Sequence, residues 1–201
     1  MLMTDYEATR LRFSRQIGES IDAVDIIKSD CDRCEAELKV DSSDQFFRRA
    51  LVRNVCAYIE AFIYVLSRGV MHIQAASQED RLIARTIKRT FDCSISEKDL
   101  RNLADDGGSR KGFKERFKDF TRIFAQVFCF AGEINYRDDR GWEAVWKTFE
   151  LRDRLVHPKC GEELEIKEVE LNKARAALEW AHRIMAERVA HAAKAIDEMP
   201  R

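Results

Sequence analysis

Val55-Cys56-Ala57-Tyr58-Ile59-Glu60-Ala61-Phe62-Ile63-Tyr64-Val65-Leu66 is apolar nearly all round, interrupted by Glu60 and bounded by Arg53 and Arg68. A helix that is hydrophobic on every side has to be surrounded by other elements, so this run predicts the central core helix of the fold. It is too short and too charged to cross a bilayer, and no membrane association is expected. Upstream, Asp41-Ser42-Ser43-Asp44 supplies N-cap chemistry, which extends the helix from Gln45 to about Ala76.

Helical periodicity continues on both sides. From about Asp5 to Leu38, the apolar residues Leu11, Ile17, Ile21, Val24, Ile27 and Leu38, with steps of three to four from Ile17 to Ile27, read as a long amphipathic helix. Ser77-Gln78-Glu79-Asp80 has the form of a capping box opening a shorter helix to about Thr90, and Ser96-Glu97-Lys98-Asp99 opens another to Ala104. Asp105 to Gly112, rich in glycine and charge, reads as a loop. Phe113, Phe117, Phe120, Phe124, Val127 and Phe128 form a stripe at helical spacing, predicting a core helix from Phe113 to about Gly132 rather than a base-stacking platform. After a polar break at Tyr136 to Arg140, Trp142, Val145, Trp146 and Phe149 lead a further helix. Pro158 disfavours helical geometry at His157, so this helix should stop at about Val156. Lys159 to Ile166 is an irregular crossing, and a final helix from about Glu168 to Glu198 buries Leu171, Leu178, Ile184 and Val189.

Composition agrees. The 201 residues are 45% hydrophobic and 35% charged, with only eight glycines and two prolines, which points to salt-bridged helices in one domain over residues 1–201. The net charge of −1 supplies no global attraction for nucleic acid, so any RNA contact has to be local. Arg outnumbers Lys by 23 to 12, and its planar fork suits phosphate recognition. Met1 to Asp5 lead straight into charged residues without a secretory signal, so a cytoplasmic location is expected, with the six cysteines as free thiols.

The residues with chemical potential are in Leu151-Arg152-Asp153-Arg154-Leu155-Val156-His157-Pro158. Arg152 and His157 would lie about 140° apart on a continuous helix, but a helix ended by Pro158 frees the imidazole to turn back. The carbonyl end of the helix dipole favours a protonated imidazole, which helps a general acid. The pair suits RNA cleavage: His157 moves a proton at the ribose 2′-hydroxyl or the leaving 5′-oxygen, while Arg152 stabilises charge on phosphorus. One His does not readily do both jobs, whereas two motifs in a symmetric dimer supply two. Arg154 reads either as a second phosphate contact or as an ordinary solvated charge. Glu60 has to pair with a cation, and Arg53, seven residues earlier, and Arg152 are the candidates.

On Arg152-Asp153-Arg154-Leu155-Val156-His157-Pro158, and on Arg53 to Phe62 as an early core helix with an inward acidic residue, the chain resembles the HEPN superfamily. The likeness in helix order covers about residues 45–190. That resemblance implies an antiparallel helical bundle, here with two long N-terminal helices and extra short ones, dimerising across the motif helices. It further implies a metal-independent endoribonuclease of toxin or defence type, with Arg152, His157 and Asp153 in the cleft and Glu60, Arg53 and Arg154 supporting them. RNA is the implied substrate, and an antitoxin or a nucleotidyltransferase-like protein the implied partner. Some HEPN members are instead non-catalytic nucleotide-binding or interaction modules, the alternative reading.

No cofactor or metal is expected. Cys31-Asp32-Arg33-Cys34 has a metal-like spacing but no second pair or nearby His to complete it. Gly107-Gly108 lacks the strand, helix and Lys-Ser/Thr ending of a P-loop. His72, His182 and His191 stand outside any motif.

Overall fold

The computed structural model describes residues 5–78, 81–104, 112–132, 134, 136 and 139–198, with backbone alone for most of residues 5–20. The fold is all-α: among the described residues every regular element is a helix. These are α1 (Asp5–Val40), α2 (Gln45–Ala76), α3 (Arg81–Thr90), α4 (Glu97–Ala104), α5 (Phe113–Val127), α6 (Arg140–Val156) and α7 (Glu168–Asp197), with a 3₁₀ turn at Gly161–Leu164 before α7.

The caps explain where the helices begin. Asp44 Oδ1 accepts the Phe46 amide at 2.7 Å, satisfying a donor that the first turn of α2 leaves open. Asp41 closes the preceding turn by accepting the Ser43 hydroxyl and amide, which hold its carboxyl below the usual range. At α4, Ser96 Oγ accepts the Asp99 amide at 3.1 Å while donating to Asp99 Oδ2 at 2.9 Å, a reciprocal box. Asp139 accepts the Gly141 amide at 2.8 Å and opens α6 at Arg140, inside the predicted polar break. Gly141 lets this end of α6 lie directly on Trp180, whose ring a Cβ there would overlap. The expected cap residues Glu79 and Asp80, and the expected loop from Asp105 to Lys111, lie outside the described residues.

One helix stops earlier than periodicity predicts. α5 ends at Val127 rather than near Gly132, because Cys129 takes a left-handed φ of 50°. Its amide donates to Gln126 O at 3.2 Å and that of Phe130 to Ala125 O at 2.8 Å, the bonding of a Schellman stop. Glycine ordinarily holds that position, so a cysteine there carries no stop signal in the sequence.

By residue contacts the chain divides into two compact units. One comprises residues 22–62 and 134–185, and the other 1–21, 63–133 and 186–201. In the first, α1 meets α7 through Glu35 and Arg175, whose Nε donates at 2.8 Å, and meets α2 where Asn54 Nδ2 reaches Cys34 Sγ at 3.6 Å. The α2 residues Val55, Cys56, Tyr58, Ile59 and Phe62 are buried, and the Tyr58 hydroxyl lies 2.8 Å from Nδ1 of the exposed His182. In the second unit the expected aromatic stripe is core: Phe117, Phe120, Phe124 and Phe128 are buried, and His191 Nε2 lies 2.7 Å from Phe128 O.

α2 departs from expectation in two respects. By length and composition it does match a membrane span, although 61% of its most apolar stretch is already buried inside the protein. Nor is it covered all round, because Arg53, Glu60, Tyr64 and Arg68 make an exposed stripe at steps of seven, four and four residues.

Replacing Cys129 by Gly relieves the left-handed strain but frees the unfolded chain, so C129G should stabilise by up to about 1 kcal/mol in urea unfolding. A clear loss of stability would mean that the side chain matters more there than the backbone.

Candidate active site

The last turn of α6 carries the motif. Leu151 and Leu155 are buried and anchor it, while Arg152, Asp153 and Val156 face outward to different degrees. The helix ends as predicted: the His157 amide donates to Asp153 O at 3.0 Å, His157 leaves helical geometry at φ −126° and ψ 56°, and Pro158 follows. The imidazole is exposed and makes no hydrogen bond with any described residue.

Arg152 is held from three sides. Nη1 donates to Glu60 Oε1 at 2.7 Å, and Nε and Nη2 donate to Asp153 Oδ1 at 3.2 and 3.0 Å. The guanidinium also lies 4.9 Å from the centre of the Phe149 ring, one turn earlier on α6. Partial burial works against its charge, but the hydrogen bonds and charges of Glu60 and Asp153 outweigh this and hold its pKa above the ordinary value. Arg152 is therefore a fixed cation at any workable pH. Beneath it, the Cys56 thiol donates to Thr148 O at 3.6 Å, and burial pushes its pKa up to about 12 despite the opposing charge of Arg152. Cys56 is thus a packed thiol rather than a nucleophile.

Four expectations need correction. Glu60 is not enclosed: its side chain is 48% exposed, because it lies on the uncovered stripe of α2. Arg53 makes no ion pair with Glu60 among the described residues, since seven residues along a helix separate them by about 10 Å. Asp153 spends its hydrogen-bonding oxygen on Arg152, so it orients the guanidinium and not the imidazole. Arg154 is not the freely solvated charge of one reading, and its guanidinium is engaged by protein groups. It projects about 200° round the helix from Arg152 and forms a two-pronged pair with Glu170, at 2.9 and 3.2 Å, with a further bond to Glu165 O.

Sequence reasoning missed the group that holds the chain beyond His157. The Gln45 side chain brackets Ile166, accepting its amide at 2.8 Å and donating to its carbonyl at 3.2 Å. Arg48, itself buried, donates to the same carbonyl at 2.8 Å and to Glu168 at 2.7 Å. Glu163 accepts the Lys159 amide, and Glu170 accepts that of Lys167. The segment after the motif is pinned while the imidazole stays open to solvent. Nothing local marks Gln45 or Arg48, because their partners lie more than a hundred positions away. Phe149 did have a signal, its place three residues before Arg152.

Among the described residues, no three His, Cys, Asp or Glu side chains gather as metal ligands. Cys31 and Cys34 are both buried, and burial raises both thiols, that of Cys31 to about 12. No protein-family model, curated protein or solved structure matches this chain.

The Arg154–Glu170 pair is partly buried and two-pronged, so Arg154→Ala should cost about 1–2 kcal/mol in denaturant unfolding. Arg152→Ala, which breaks a more exposed pair, should cost less than about 1 kcal/mol. The reverse order would show that Arg152 is the stronger structural tie.

Proposed function

We propose that this protein is an endoribonuclease of HEPN type, an antiparallel helical bundle that works as a homodimer in the cytoplasm and cuts RNA without metal. The observation that carries the reading is the last turn of α6, where a fixed guanidinium stands one turn ahead of a solvent-open imidazole. Arg152 has five N–H donors, of which three are engaged, leaving two for phosphate oxygens. In the proposed reaction the ribose 2′-oxygen attacks phosphorus as it loses its proton, and the P–O5′ bond breaks. His157 takes the first proton or gives one to the leaving oxygen, with the symmetry mate's motif supplying the other group. Arg152 stabilises the extra negative charge that gathers on the phosphoryl oxygens. The products are a 2′,3′-cyclic phosphate and a 5′-hydroxyl. An antitoxin or a nucleotidyltransferase-like protein is the partner that fits a nuclease of this kind.

A second reading is a non-catalytic HEPN-like nucleotide-binding or interaction module. It is favoured by the two carboxylates that already balance Arg152, and by the lack of a hydrogen-bond partner for the His157 imidazole among the described residues.

The wild-type protein in EDTA should cut RNA to 2′,3′-cyclic ends, and His157→Ala and Arg152→Ala should each lower the rate at least 100-fold. Wild-type protein that leaves RNA intact, or a His157→Ala protein that cuts as fast, would overturn the nuclease reading. The first result would leave the module.

A further inference from the structure

The unit made of residues 1–21, 63–133 and 186–201 contains a cavity of about 240 Å³ that the motif does not use. Among the described residues its walls are apolar apart from Asp197. Val65 and Leu66 of α2 form one side, and Phe124 and Phe128, stacked with ring centres 4.3 Å apart, form an aromatic side. The space exists because small residues stand where helices usually carry larger ones: Gly18 on α1, Gly69 on α2 and Ala192 on α7. Among the described residues, a Cβ on Gly18 would meet nothing within 4 Å, and one on Gly69 would meet Phe128 Cζ at an ordinary 3.9 Å. No close contact among the described residues requires either glycine, and a glycine inside a helix weakens it, so the cavity comes at some cost in stability.

Protein interiors are otherwise close-packed, and an apolar void of this kind favours a compact apolar occupant over water. An apolar cavity of about 150 Å³ already accepts benzene, so the larger volume here admits a fused pair of rings. The exposed Ala193 and Asp197 lie on its lining beside the buried residues.

We propose that this cavity is a binding site for an uncharged planar aromatic molecule of one or two fused rings. The proposal does not depend on the nuclease reading. Indole is a suitable probe, titrated into the full chain by calorimetry and by thermal unfolding. The wild-type protein should bind one indole saturably, with a Kd of 1 mM or tighter and a rise in Tm. Gly69→Leu and Gly18→Leu place side chains in the space, so each should weaken binding at least ten-fold and raise the Tm of the ligand-free protein. Gly69→Ala, a smaller change, keeps the test valid if a leucine variant misfolds by circular dichroism, and should weaken binding by a smaller factor. An absence of saturable binding up to the solubility of indole, or a correctly folded leucine variant that binds as the wild type does, would overturn the proposal.

Discussion

The ion pair between Arg152 and Glu60 orients the guanidinium where the end of α6 meets α2. An apolar helix such as α2 must be covered, and its neighbours cover it except along the stripe that carries Arg53, Glu60, Tyr64 and Arg68. Glu60 gives that stripe one anchoring carboxylate inside a run of hydrophobic residues. Arg152 reaches it at 2.7 Å, while Leu151 and Leu155 on either side of the guanidinium sink into the core. The register between a buried face and a charged edge sets the position of the motif.

Magnitudes assign the roles. A pair with side chains 29% and 48% exposed contributes at most about 1 kcal/mol, so hydrophobic burial holds α6 in place and the pair orients the guanidinium. The same partial exposure leaves donors of Arg152 within reach of a phosphate. Pro158 acts on the next step of the chain: it stops the helix, and the Gln45, Arg48 and Glu170 contacts then hold the descending segment. Arg154, adjacent in sequence to the site, belongs to this structural side of the helix rather than to the chemical one.

Much of this was legible from local rules. α2 begins and ends where Asp44 and the following turn dictate, α6 stops at Val156 because of Pro158, and the phenylalanine stripe is core because its spacing follows the helix. What escaped was either non-local or unmarked. The early end of α5 depends on a left-handed residue that is Cys rather than Gly, so no composition cue announces it. The exposure of Glu60 depends on which face of α2 the other helices leave bare, and the capture of Arg154 by Glu170 on how α7 returns past α6. Sequence spacing identified the candidate partners of Glu60 but did not choose between Arg53 and Arg152.

In the proposed reaction the imidazole of His157 and the guanidinium of Arg152 meet one phosphodiester. The most direct measurement is a nuclear magnetic resonance titration of the His157 ring with an RNA oligonucleotide carrying 2′-deoxy sugars, which binds without being cut. The His157 ring resonances should move saturably, and Arg152→Ala should remove most of the movement. Resonances that stay fixed at saturating RNA, while the protein binds that RNA elsewhere, would contradict it.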